Sequence, residues 1–254
     1  MISLEKVFDN KTVFILPHLD DEFAVVPLII EIIKKSKDSP KIIFCAERLD
    51  EKNEKNRMMK RRNENIKSMK YLGIKEKNIL YINDYFEVKD LNLYKKSNEL
   101  FEFLKRFIKE NKIDQLITTN FEGGHPDHDA LAIIIDKLAR KKKINALFIP
   151  TYNSRPTAFV IPFSVFRPLQ EQLNHFTKIK FHYLCWLDSI VVSMFYLTEF
   201  RTIIKLMPFL IFNTLFSNTI FITDKINIHH VDWNDSLSFK RYKMKQNKIL
   251  ELLK

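Results

Sequence analysis

Between residues 13 and 150 the chain alternates short apolar runs with longer amphipathic ones, and this alternation leaves few folds open. VFILP (13–17), KIIFCA (41–46), NILYI (78–82), DQLITT (114–119) and ALFIP (146–150) have the length and apolar character of buried strands. The intervening runs repeat every three to four residues, as helices do. Residues 22–35 end in lysines, residues 53–72 end before Gly73, and residues 128–140 close the series. In residues 97–110, Leu100, Phe101, Leu104, Phe107 and Ile108 fall on one face. Strand, helix, strand repeated in this way predicts an α/β fold, a Rossmann-like, mostly parallel sheet with helices on both faces. In such sheets ligands bind beyond the carboxyl ends of the strands.

Residues 151–254 read differently, and we take them as a C-terminal elaboration shaping the site of one domain, residues 1–254, whose catalytic core is residues 1–150. Residues 156–223 are strongly apolar and aromatic, and residues 206–223 carry no charge. That length raises the question of a membrane span. Pro208, Asn213, Ser217 and Asn218 argue instead for core or substrate-wall helices, with peripheral membrane contact as the alternative. Residues 238–254 read as a basic amphipathic helix.

Two polar clusters stand at expected strand ends. His18-Leu19-Asp20-Asp21-Glu22 follows the first apolar run. One of its carboxylates could cap the next helix, but capping does not account for His-x-Asp-Asp together. A divalent metal does, since imidazole and carboxylate are both good ligands for it. Gly123-Gly124-His125-Pro126-Asp127-His128 follows the fourth run and uses two of only three glycines in the chain. Gly-Gly permits a tight turn and Pro126 suits a helix start. Together the clusters offer two imidazoles and a carboxylate to a metal, with acid–base groups to spare. That is the layout of a catalytic rather than a structural zinc site.

These motifs resemble those of the PIG-L/LmbE-like N-acetylglucosaminyl deacetylases, which carry His-Pro-Asp-Asp-Glu after the first strand and His-Pro-Asp-His later. Here they read HLDDE and HPDH, with Leu19 in place of the motif proline. Arg61-Arg62-Asn63-Glu64 followed by Leu72-Gly73 matches a third family feature, and the likeness covers residues 10–150. The resemblance implies His18, Asp21 and His128 as ligands of Zn²⁺ or another divalent metal. It implies Asp20 as general base, and His125 as general acid or oxyanion stabiliser, with Asp20 the alternative acid. Asp127 would orient a neighbouring histidine and Arg61 would contact substrate. From chemistry and position, Arg62 and Asp84 join Arg61 as candidate substrate contacts, because arginine forks match phosphate and sugar oxygens. The implied activity is removal of an N-acetyl group from an N-acetylglucosamine-type sugar in a glycoconjugate or sugar-nucleotide, in glycoconjugate biosynthesis; the basic segment 52–70 and the apolar C-terminal region suit a phosphate- or lipid-linked sugar. The alternative is an inactive carbohydrate-binding protein on the same fold.

The formal charge of +11 favours anionic partners. No zinc-finger, helix-turn-helix or RNP signature supports nucleic acid, and an acidic HLDDE loop after the first strand would repel a dinucleotide pyrophosphate. Cys45 and Cys185 lie in apolar runs and read as buried free thiols. The opening residues lack a signal-peptide core, so a cytoplasmic location is expected, peripheral at the inner membrane face. His175 and His182 read as packed or surface residues, and His229 and His230 as weaker site candidates. The oligomeric state is left open.

Overall fold

The computed structural model describes residues 7–8, 11–36, 39–47, 54–153, 164–168, 170–226 and 243–252. His229 and His230 fall outside them. Strands β1 (Thr12–Leu16), β2 (Lys41–Phe44), β3 (Ile79–Tyr81), β4 (Gln115–Thr119) and β5 (Asn145–Ile149) form one sheet in the order β3-β2-β1-β4-β5, and every pairing in it is parallel. The expected strands therefore form, each within a residue or two of its expected limits.

The helices are α1 (Val26–Lys35), α2 (Glu54–Tyr71), α3 (Ser97–Asn111), α4 (Pro126–Lys142), α5 (Tyr183–Met194), α6 (Phe200–Phe212) and α7 (Lys243–Glu251). Alternate strand residues enter two separate apolar clusters. Phe14, Leu16, Ile42 and Phe44 pack with residues of α1, α2, α5 and α6. Val13, Ile15 and Ile43 pack with α3, α4 and Ile249 of α7. Strands buried on both faces need continuous apolar character, which explains why the strand runs do not alternate with polar residues.

The local signals are chemical. Gly73 takes φ +80° just beyond α2, a conformation that costs a residue with a Cβ. Helix α4 opens on Pro126, carries Asp127 and Asp129 in its first turn, and ends on Arg140, Lys141 and Lys142. That distribution complements the helix dipole. One expectation is corrected: residues 22–35 do not form a continuous helix. A 3₁₀ turn (Asp21–Ala24) precedes α1, because the backbone must first return Asp21 toward His18.

The C-terminal region covers one face. Antiparallel strands β8 (Thr177–Lys180) and β9 (Thr219–Ile222) pair, and Thr223 bridges to Phe148 of β5; the short strands β6 (Tyr152–Asn153) and β7 (Ser164–Val165) precede them. Helix α6 lies within a 21-residue helical run, Leu197–Ser217, long and apolar enough by composition to cross a membrane; 28% of its most apolar window is buried in the protein. The uncharged stretch 206–223 is thus divided between a helix end, a π turn (Asn213–Ser217) and β9.

Candidate active site

The sheet order places β1 beside β4, with β2 and β5 continuing outward from each. Connections diverge there, which opens a crevice at the carboxyl ends. HLDDE leaves β1 and GGHPDH leaves β4, so both clusters meet in that crevice.

Asp21 is the meeting point. Its Oδ2 lies 3.2 Å from His18 Nδ1 and 3.3 Å from His128 Nε2. The same oxygen accepts the backbone N–H of His18 at 2.9 Å, which clamps the turn. Nitrogens of His18, His125 and His128 all lie within 4.8 Å of one another. Donors to a tetrahedral zinc at about 2.0–2.2 Å stand roughly 3.3–3.5 Å apart, close to the two Asp21–imidazole distances; His18, Asp90, His125 and Asp127 form a second group with donors within 4.8 Å of one another. The charge balance fits as well: Asp20, Asp21, Asp90 and Asp127 converge on this crevice in a chain that is basic overall.

The surrounding shell fixes each imidazole. His18 Nε2 lies 3.1 Å from Asp127 Oδ2 and 3.3 Å from Asp90 Oδ1. Asp127 is the connector, since its oxygens also accept the backbone N–H groups of Leu91 and Leu93 at 2.6 and 3.0 Å. Leu91 sits at φ +64°, unusual for a residue with a side chain, so Asp127 holds a strained turn that presents Asp90 to the histidines. His128 Nδ1 meets Thr151 Oγ1 at 3.0 Å, and Thr151 N–H donates to Glu122 at 2.8 Å. His125 Nδ1 accepts the N–H of Asp127 at 3.2 Å, which leaves the proton of the neutral ring on Nε2. Asp129 accepts from the N–H groups of Glu122 and Gly123 at 2.9 and 3.1 Å, and Gly123 takes φ +70° to allow it.

The titration of these groups follows from their neighbours. Burial opposes a charged His18, but Asp127, Asp21 and Asp90 outweigh it and raise its pKa well above the usual imidazole value. Burial alone would raise Asp21, yet His128 and His18 drive it far below the carboxylate range. Asp90 is lowered in the same way by His18 and His125 despite its burial. Burial raises Asp20, with Arg61 pulling the other way, and lowers His125 well below its usual value, helped by His18 and His128.

The remaining candidates fall into two groups. Arg61 is buried and its Nη2 donates to Asp20 Oδ1 at 3.1 Å; Glu199 lies 3.6 Å from its Nη1. Arg62 forms a fork to Glu47 at 2.7 and 3.0 Å, bonds Asp84 at 2.6 Å and stacks over Tyr81. Arg62 and Asp84 are thus brought to each other. A 3₁₀ turn (Ile82–Asp84) stops β3 early, and the carboxylate that reaches the histidines from this side is Asp90. Asp90 escaped sequence reasoning because EVKDLNL carries no distinguishing spacing; its position after the third strand was the one usable signal. Glu199 and Tyr196 were missed for a similar reason, as both come from the apolar C-terminal region. Tyr196 OH meets the Leu19 carbonyl and Glu22, while Asn65 Nδ2 donates to that carbonyl at 2.7 Å. Burial pushes Glu22 up to about 8 against its bonds to Tyr196 and Ser68. Leu19, at the motif proline position, is packed in the core. Cys45 and Cys185 are buried free thiols, and His175 and His182 are exposed, with His182 capping α5.

A parallel sheet with a histidine–aspartate cluster at its carboxyl edge defines the class, an α/β protein with a candidate hydrolytic site. The sequence model of the GlcNAc-PI de-N-acetylase family, PIG-L, matches residues 13–139, half of the chain, and the chain belongs to that family. Solved structures share its fold. An A40926 pseudoaglycone deacetylase, Dbv21, aligns with a TM-score of 0.57 at 16% identity, over 86% of this chain and 99% of that one. The N,N'-diacetylchitobiose deacetylase from Pyrococcus horikoshii gives 0.54 at 18% identity, over 82% and 79%. The zinc-inhibited form of teicoplanin deacetylase Orf2 gives 0.54 at 12% identity, over 85% and 99%. No curated protein sequence matches the chain.

Proposed function

We propose that the protein is a metal-dependent N-deacetylase acting on an N-acetylglucosamine-type sugar. The observation that carries this reading is the convergence of Asp21 Oδ2 on His18 Nδ1 and His128 Nε2, with Asp20 held beside them by Arg61. Family membership and the deacetylase names of the structural relatives support it. His18, Asp21 and His128 would hold zinc or another divalent ion. When bound, the metal would polarise the acetamide and make water a stronger nucleophile near neutral pH.

The chain's own residues supply the rest. Asp20 takes a proton from the attacking water as its oxygen bonds to the acetyl carbon. Arg61 aims that carboxylate and keeps its charge balanced. His125, with its proton on Nε2, donates to the oxyanion that develops on the acetyl oxygen. Asp20 then returns the proton to the amine nitrogen as the carbon–nitrogen bond breaks, leaving acetate and a free amine. We assign the acid role to Asp20 because His125 Nδ1 accepts the Asp127 N–H, which leaves a neutral ring, a far weaker acid than a protonated carboxyl. Asp127 and Asp90 hold His18 in place. Arg62 and Asp84, bonded to each other, are the remaining candidates for contact with the sugar.

The test is metal content and acetate release together. Wild-type protein and an Asp21→Ala, His128→Ala double variant are compared after loading with graded zinc, cobalt or manganese, because one protein of this fold has a zinc-inhibited form. Substrates are UDP-N-acetylglucosamine, N,N'-diacetylchitobiose and a lipid-linked N-acetylglucosamine. Near-stoichiometric metal lost in the variant, with chelator-sensitive acetate release, is the expected result. Absence of metal under every loading condition overturns the reading, and metal without acetate release from any member points to the carbohydrate-binding alternative.

A further inference from the structure

Helices α5 and α6 each turn an apolar stripe to solvent. On α5 the stripe is Leu184, Leu187, Val191 and Met194, the last 64% exposed. On α6 and the turn beyond it the stripe is Phe200, Ile204, Ile211 and Leu215, with Phe216 beside them 72% exposed. An apolar groove of about 490 Å³ runs between the two stripes. Contiguous apolar surface on this scale marks an interaction site rather than ordinary surface.

The exposed charges that flank the α6 stripe are basic. Arg201 and Lys205 are exposed, each one residue past a member of the α6 stripe. The acids of the same segment are engaged elsewhere: Asp188 accepts from Tyr71 at 2.6 Å, and Glu199 pairs with Arg57 and Arg61. Two exposed cations beside an apolar stripe suit an anionic lipid surface.

The hairpin cannot leave the body to cross a bilayer. Ile203, Leu206 and Leu210 are buried against the core, as are Asn213 and Thr214. The chain then enters β9, which is bonded to β8 and bridged to Phe148. A helix buried on one side and apolar with flanking cations on the other lies in the plane of a membrane interface.

We propose that the α5–α6 face docks in-plane on an anionic bilayer and thereby sets the crevice at headgroup level. The elbow between the helices makes that connection. Tyr196 touches the Leu19 carbonyl and Glu22, Thr198 N–H donates to Glu64 at 3.1 Å, and Glu199 holds the Arg61 that holds Asp20. Docking goes beyond the deacetylase reading and does not rest on it, since it is measured without turnover.

The experiment is co-flotation of the full chain with phosphatidylcholine vesicles, with and without phosphatidylglycerol, at low and high salt. Binding to the anionic vesicles is expected, weaker by at least about tenfold on phosphatidylcholine alone and in an Arg201→Glu, Lys205→Glu variant. A Leu215→Asp, Phe216→Asp variant, exposed in the folded protein, should keep its melting temperature and its acetate release from a soluble sugar yet fail to float. Amides of residues 197–217 should gain hydrogen-exchange protection in wild type on adding anionic vesicles, a readout that needs no variant. Failure of the wild type to float with anionic vesicles at low salt overturns the proposal. So does equal flotation of the aspartate variant, resistance to alkaline wash as for a span, or a stable dimer in which those amides are already protected.

Discussion

Asp20 and Asp21 are adjacent carboxylates with separate surroundings, and the roles proposed for them follow from what each faces. Asp21 points at two imidazoles; Asp20 points at a guanidinium. An Asp20→Asn variant should therefore retain metal while kcat for acetate release falls by about 10²–10⁴, the usual range for loss of a general base. Loss of metal from that variant would show that Asp20 is a ligand instead. Asp127 acts through others. Asp127→Ala would leave His18 Nε2 to Asp90 and remove the carboxylate that accepts the Leu91 and Leu93 N–H groups, so metal affinity should fall by about 10–100-fold. Competition with a chromogenic chelator measures this, and unchanged affinity would leave Asp127 a fold residue only. HLDDE and HPDH made these residues visible in sequence, because charged groups at buried strand ends need a partner. Asp90 was not visible, since its approach depends on a strained turn that no local pattern announces.

At the scale of elements, the α5–α6 elbow is anchored to the HLDDE loop by Tyr196. Tyr196→Phe would leave the Leu19 carbonyl to Asn65 alone and take a partner from buried Glu22. Such losses cost about 1–3 kcal/mol, so urea denaturation should show a lower midpoint with an unchanged slope. A midpoint within error of wild type would mean that the contact contributes nothing net. Gly73→Ala tests the end of α2, where φ is +80° and open space surrounds a new Cβ. The strain is conformational only, and about 1 kcal/mol of destabilisation is expected. The α2 stop and the α4 cap were both legible beforehand, because Gly, Pro and dipole-complementing charges act within one turn. The break between the 3₁₀ turn and α1 was not, because it serves Asp21, whose partners lie across the sheet.

For the whole molecule, the relevant balance is of charge. Four carboxylates gather in one crevice of a basic protein, so a bound cation should stabilise the fold as well as serve the chemistry. Metal at about a hundred times its dissociation constant adds about 2.7 kcal/mol. Calorimetry of the stripped and reloaded protein should show the melting temperature fall and return by several degrees. A melting temperature indifferent to metal would argue that the cluster is held by hydrogen bonds alone.

The sequence by itself determined the parallel α/β core, the strand ends that carry the two motifs, and the chemical types gathered there. It could do so because apolar periodicity, glycine and proline placement and helix-end charge are local and act within a few residues of the chain. Tertiary structure alone decided which donors meet, that Asp90 rather than Asp84 faces the histidines, and that Arg61 turns inward to Asp20. It also decided that residues 196–199, far along the chain, reach the HLDDE loop, and that one side of the apolar hairpin stays uncovered. Those outcomes depend on the order of strands in the sheet and on burial shared between distant segments, and no short window of residues contains either.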